Sequence, residues 1–168
     1  MAAPQPKKPR AGRPDFPEEY GLNDPKLEIT LLSWDWVETR LTEARNYWLS
    51  TTRPDGRPHA SPVWGIWHAG AFYFGTGRTA RKAKNLADNA GLVVHLESGD
   101  EVVILEGKAV KVTDSVLLSQ LDTVYFAKYH VHLAGEPDTG ALIYTLHGHT
   151  AFAWLEQDFP RTATRWKF

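Results

Sequence analysis

The run Arg53–Asn89, RPDGRPHASPVWGIWHAGAFYFGTGRTARKAKNLADN, decides the fold. Asp55-Gly56 sits between alternating segments, which is a strong short-range hairpin signal. A second turn at Ala69-Gly70 leads into AFYFGT, so three successive antiparallel strands are expected from about Arg45 to Thr76. TARKAKNLADN then reads as a short helix that closes near Asn89 and Gly91. Four cations, Arg78, Arg81, Lys82 and Lys84, fall within seven residues where the strand hands over to that helix, and no acid follows before Asp88.

Working outward, SWDWVETRLTEA has an N-cap residue at Ser33 and apolar residues at Trp34, Val37 and Leu41, which is helical spacing. LVVHLES and EVVILEGKAVKVT are two further strands joined through Gly99-Asp100. DSVLLSQLDTVYFAKYH begins with an Asp114 cap and places Leu121, Tyr125 and Lys128 at helical spacing, a pattern of core or subunit interface. ALIYTLHGHTAFAWLE and TATRWKF return to extended structure. At least six strands in neighbouring hairpins, with helices inserted rather than alternating, predict a mostly β protein: a closed or partly closed antiparallel barrel with peripheral helices. Residues 1–26 hold six of the eleven prolines and little apolar periodicity, which reads as a flexible or loosely docked arm. Residues 27–168 form the expected domain.

Composition narrows the chemistry. The 168 residues are 42% hydrophobic and 23% charged with a net charge of −1, the profile of a soluble globular domain without bulk attraction to nucleic acid or an anionic membrane. With no cysteine, disulfides, thiolate catalysis and cysteine-bound metals are excluded. The first residues carry no apolar signal core and no run reaches the length of a membrane span, so a cytoplasmic location is expected. Seven tryptophans among 12% aromatic residues suit a core or a site for a planar ligand.

The basic stretch has two readings. A solvated helix face is the ordinary meaning of a charge run. Alternatively a phosphate sits there: helix N-termini carry free N–H groups and partial positive charge. Gly75 and Gly77 allow close backbone approach, Thr76 and Thr79 offer hydroxyls, and Arg78, Arg81 and Lys82 share a face if the helix includes all three. The spacing is not that of a Walker loop.

The segment PDGRPHASPVWGIWHAGAFYFGTGRTARKAKNLADN, together with the closing ATRWKF, resembles the flavin-binding split-barrel proteins related to pyridoxamine 5'-phosphate oxidase, and within them the branch of FMN- and deazaflavin-dependent oxidoreductases. The likeness runs from about Leu27 to Phe168. It implies an FMN-dependent oxidoreductase acting on a small-molecule substrate, a homodimer with cofactor sites at the subunit interface, and no nucleic-acid or membrane partner. An 8-hydroxy-5-deazaflavin coenzyme is the alternative cofactor, with Lys84, Arg57, Lys7, Lys8 and Arg10 available for its longer anionic tail. By resemblance, His59, Ala60, Ser61, Pro62, Val63 and Trp64 run along the ring system. Thr76, Gly77, Arg78, Arg81 and Lys82 hold the phosphate end with Asn85 nearby, and Arg165 and Trp166 approach from the other subunit. No catalytic acid or base is assigned. Pyridoxamine 5'-phosphate oxidase itself has more basic residues and a different C-terminal signature, so pyridoxamine phosphate is not the expected substrate.

Other constellations compete. His130-x-His132 and His147-x-His149 have strand-like metal-ligand spacing but no nearby acid, so no metal is assigned. Some split-barrel relatives bind haem, which makes His59, His130 or His132 an axial-ligand alternative within a non-catalytic flavin- or haem-binding protein. Tyr125, Tyr129 or His130 is a further candidate for shaping the substrate pocket. A small barrel binding single-stranded nucleic acid is disfavoured by the near-neutral charge. Ser61 precedes a proline and no G-x-S-x-G elbow exists, which leaves little support for a serine hydrolase.

Overall fold

The structure is a computed structural model that describes residues 9–20, 22, 24–134 and 140–168. Lys7 and Lys8, named above for an extended groove, lie outside the described residues. Among the described residues, eight strands form one antiparallel sheet: β1 (Arg10–Gly12), β2 (Asn46–Thr52), β3 (Pro58–His68), β4 (Ala71–Gly77), β5 (Gly91–His95), β6 (Glu101–Lys111), β7 (Ala141–Leu155) and β8 (Thr164–Lys167). Their order is β1-β8-β7-β4-β3-β2-β5-β6, and a further β6–β7 pairing closes the six central strands into a barrel. Four α-helices of the described residues sit around it: α1 (Trp34–Glu43), α2 (Arg81–Asp88), α3 (Ser115–Tyr129) and the short α4 (Phe159–Thr162).

Both expected turns form where the sequence supplies the backbone freedom. Gly56 (φ 83°) turns β2 into β3, and Ala69 (φ 48°) with Gly70 (φ 79°) turns β3 into β4. Two helices start on side-chain caps: the Ser33 oxygen accepts from the Trp36 N–H, and the Asp114 carboxylate from the Leu117 N–H. The strands alternate as their patterns require, burying Tyr47, Leu49, Phe72, Phe74, Val94, Val103, Ala151, Ala153 and Trp166 inside the barrel. On the outside, α3 lays Leu121, Tyr125 and Tyr129 against Ile66, Tyr73 and Ile143 in a second apolar cluster.

Part of the proline-rich stretch is docked. Arg10–Gly12 pair with Arg165–Lys167, the Arg13 guanidinium donates to the carbonyls of Pro160 and Leu22, and Asp15 meets Arg165 at 2.6 Å.

The barrel is split at β3. Its first half, Pro58–Trp64, pairs with β2, and its second half, Gly65–His68, pairs with β4; the two ladders do not overlap. Pro62, which has no N–H to give a second neighbour, lies in the half paired with β2 alone.

Candidate functional site

Beside the unpaired edge of β3 the interior changes from apolar to polar. Thr51 of β2 lies opposite His59 in register and shares its inward face, with Ser61 two residues on. On β4, Phe72 and Phe74 point into the barrel, and so does Thr76, which is 7% exposed. From above, α2 packs on β2 and β4 and inserts Asn85, fully buried, whose amide donates to the Thr51 hydroxyl at 3.0 Å.

Four buried side-chain atoms among the described residues have no hydrogen-bond partner: His59 Nδ1, Ser61 Oγ, Thr76 Oγ1 and Asn85 Oδ1. All four fall on this one gap. An unpaired buried polar atom costs about 1–3 kcal/mol, so four on one site mark a place shaped for something other than the chain itself.

The cations stand over the same gap. α2 begins at Arg81 with Ala80 as its cap residue and no side-chain cap bond, in contrast to α1 and α3. Its first N–H groups and partial positive charge are left open beside Arg81 and Lys82. The imidazole of His59 is held below its ordinary pKa by desolvation and then by the charges of Arg53, Lys82 and Arg81, which places those three cations around it. Arg53 and Thr51 were not singled out in the sequence. The β2 alternation that buries Tyr47 and Leu49 was the signal available for Thr51.

The structure corrects one detail of the expected site. Arg78 does not share a helical face with Arg81 and Lys82. It lies in the turn before α2, with its Nε 3.6 Å from where a Cβ on Gly140 would stand. Trp166 is 1% exposed in the barrel core, edge-on to Trp34 at 5.4 Å. Its neighbour Arg165 points to the other side of β8, toward Asp15.

The remaining residues divide between the two faces of β3. His59, Ser61 and Val63 face inward, while Ala60, Pro62 and Trp64 face out. Trp64 is 40% exposed, stacks on Tyr129 at 4.9 Å, and carries the Arg45 guanidinium 5.5 Å from its ring. Gly77 is exposed at the end of β4. His130 caps α3 in the left-handed conformation and His132 contacts Asp122 at 2.8 Å, so both lie at the C-terminal end of α3 rather than beside His59. Among the described residues, no three His, Asp or Glu side chains gather into a metal site. A concavity of about 460 Å³ lies near the other end of β3, between Trp67, Ala71, Val110, Leu146 and Phe168. None of the four unpartnered polar atoms lines it, so size alone does not make it the site.

The chain folds as a split barrel with a basic helix over its opening, and comparison with known proteins identifies its class. The family model described as Pyridoxamine 5'-phosphate oxidase matches residues 34–160, and the chain belongs to that family. Similar solved structures include a conserved protein, Rv2991, from Mycobacterium tuberculosis (TM-score 0.64, 21% identity, covering 77% of this chain and 88% of that one). An F420 reductase is similar at TM-score 0.56 and 18% identity, over 68% of this chain and 94% of its own. HutZ, a heme storage protein from Vibrio cholerae, is similar at TM-score 0.59 and 19% identity, over 74% and 95%. No curated protein matches the chain. Among the described residues no helix is long and apolar enough to cross a membrane.

Proposed function

We propose that the chain is a flavin-dependent oxidoreductase of the cytoplasm that holds FMN in a homodimer and acts on a small organic substrate. The observation that carries this reading is the coincidence of the four unpartnered buried atoms with the uncapped, cationic start of α2. The donor set suits the group. A phosphate accepts hydrogen bonds only, and the α2 N–H groups, Arg81, Lys82, and the Thr76 and Ser61 hydroxyls can all donate to it. Asn85 Oδ1 only accepts, and a polyhydroxylated chain between phosphate and ring supplies the hydroxyl it lacks. Arg53 adds a further positive charge acting on His59.

When bound, the flavin supplies the hydride or electron chemistry. The protein's part is to anchor the charged tail where α2 faces His59 and Ser61, line the ring with the rest of β3 up to Trp64, and keep water from the inner face with Val63. The exposed outer face of β3, with Trp64 stacked on Tyr129, is where a second copy of the chain completes the site. A deazaflavin coenzyme is the second reading, favoured by the likeness to an F420 reductase. Haem is a third, favoured by the likeness to HutZ.

An absorption spectrum of the purified chain, alone and after addition of FMN, the deazaflavin coenzyme or haem, separates the three. A two-banded flavin spectrum that shifts on binding and bleaches with dithionite is the expected result. Selective binding of the deazaflavin replaces FMN, and a Soret band that follows haem replaces both. A chain that binds none returns the cations of α2 to the role of a solvated face.

A further inference from the structure

Within the site, His59 is the one titratable residue whose protonation a ligand would change. Its side chain is half-buried, Nδ1 is shut off from solvent, and no protein group bonds that atom. The charged groups acting on it are Arg53, from the turn after β2, and Lys82 and Arg81, from α2; no carboxylate is among them. Thr51 lies opposite it on β2 and carries no charge. All the charges acting on the imidazole are positive, and only its own backbone favours the protonated ring.

We propose that His59 selects the terminal group of the ligand: it takes up one proton as a phosphomonoester dianion arrives, so the site prefers a monoester to a phosphodiester or to a ligand ending in a neutral hydroxyl. This rests on the reading above that the α2 cations receive a phosphate.

In the free chain, desolvation and three cations favour neutral imidazole. A neutral ring can present Nδ1 to phosphate as a lone pair, and an acceptor facing an acceptor is unfavourable. The imidazolium donates from both nitrogens and matches a group that only accepts. A dianion offsets more of the field of Arg53, Arg81 and Lys82 than a monoanion does, so it raises the His59 pKa further. The proton comes from solvent: His59, one H⁺ and the dianion give imidazolium paired with the dianion, and no covalent bond is made or broken. Thr76 Oγ1 and Asn85 Oδ1, buried and unpartnered on the neighbouring elements, point to a ligand in the same place independently of His59.

The test is calorimetric titration of the full chain at pH 7.5, in phosphate-free buffers of different ionisation enthalpy, with FMN, FAD (whose two linked phosphates are each a monoanion, with no terminal dianion) and riboflavin as probes. The FMN phosphate is already a dianion there, its second pKa lying near about 6, so it adds no protons of its own. The expected result is uptake approaching about one proton per FMN, less with FAD and none with riboflavin, with FMN affinity falling by up to about tenfold per pH unit above neutrality. His59→Gln should bind FMN with almost no uptake and a flat pH profile. Equal uptake for FMN and FAD, no uptake by the unaltered chain, or full uptake by His59→Gln overturns the role of His59 while leaving FMN in the site. Failure of the unaltered chain to bind FMN at all instead overturns the phosphate reading beneath it. The FMN–FAD–riboflavin contrast on the unaltered chain needs no variant, so a poorly folded His59→Gln does not remove the test.

Discussion

The two halves of β3 share one problem and solve it differently. Each has a neighbouring strand along one edge only, β2 for Pro58–Trp64 and β4 for Gly65–His68. At the start of the second half the chain fills the gap itself. The Tyr129 hydroxyl accepts the Gly65 N–H and lies 2.7 Å from the Gly65 carbonyl and 2.6 Å from that of Arg45, while Lys128 Nζ donates to Gly65 at 3.3 Å. In the first half, His59 Nδ1 and Ser61 Oγ, with Thr76 Oγ1 and Asn85 Oδ1 nearby, have no protein partner. A gap closed by the protein's own side chains serves the fold, and a gap left with unpaired buried groups serves a ligand at some cost to the fold.

The largest effect should come from the open half. Replacing Arg81 and Lys82 together with Ala removes two charged donors of about 1.5–3 kcal/mol each, a loss of about a hundredfold or more in FMN affinity. Both side chains reach away from the core, so the urea midpoint of the free protein should hardly move. Spectroscopic titration and unfolding of the same variant check both halves of that statement. Undiminished flavin binding would remove the cations from the site.

Next in size is the closed half. Tyr129→Phe leaves the Gly65 N–H without its partner and should cost about 2 kcal/mol of stability, read from urea unfolding. Thr76→Val should do the reverse at the open half. It replaces an unpartnered buried hydroxyl with a methyl of similar shape, so the free protein should gain about 1 kcal/mol while FMN affinity falls. A Thr76→Val chain less stable than the parent would show that the hydroxyl is already satisfied, and the contrast between the halves would weaken.

The parts legible in the sequence were those governed by neighbours along the chain. Asp55-Gly56 and Ala69-Gly70 set two turns, Ser33 and Asp114 set two helix starts, and period-two alternation put His59 and Ser61 on one face. What escaped was decided by distant segments. The three residues of β1 show no alternation, and they gain order only because β8 offers an edge 155 positions later at Ala11↔Trp166. Arg78 shares helical spacing with Arg81, yet the helix starts after it because Ala80 takes an extended conformation (ψ 148°). Trp166 lies within a motif tied to the cofactor by resemblance, and its register opposite the buried Ala151 of β7 turns its indole to the core beside Trp34. The closing of one β3 gap by Lys128 and Tyr129 joins positions more than sixty residues apart, which no local pattern announces.

Lys128 provides the finest test of the comparison, because it closes its gap with a charge held in partly buried surroundings. Its ammonium has three oxygen acceptors, the Thr42 carbonyl (3.2 Å), the Tyr47 hydroxyl (3.0 Å) and the Gly65 carbonyl (3.3 Å), and no carboxylate. Desolvation first and then the Arg45 charge push its pKa down to about 8 from 10.5. Between those two values the unfolded chain binds a proton that the native chain does not, so stability should rise with pH from about 8 to about 10.5 and be flat in this respect below 8. The buried tyrosines act in the opposite sense. Burial raises Tyr47 and Tyr129 and pushes Tyr125 up to about 12, so above pH 10 the unfolded chain loses phenolic protons first and stability falls. Lys128→Met keeps the apolar stem and removes the titration. Urea midpoints of the two chains from pH 7 to 11 should therefore differ by an amount that grows between 8 and 10 in favour of the parent, with both curves turning down above 10. A constant difference across that range would mean that the three oxygens hold the ammonium at its ordinary pKa, and that the closed half of β3 keeps its charge without strain.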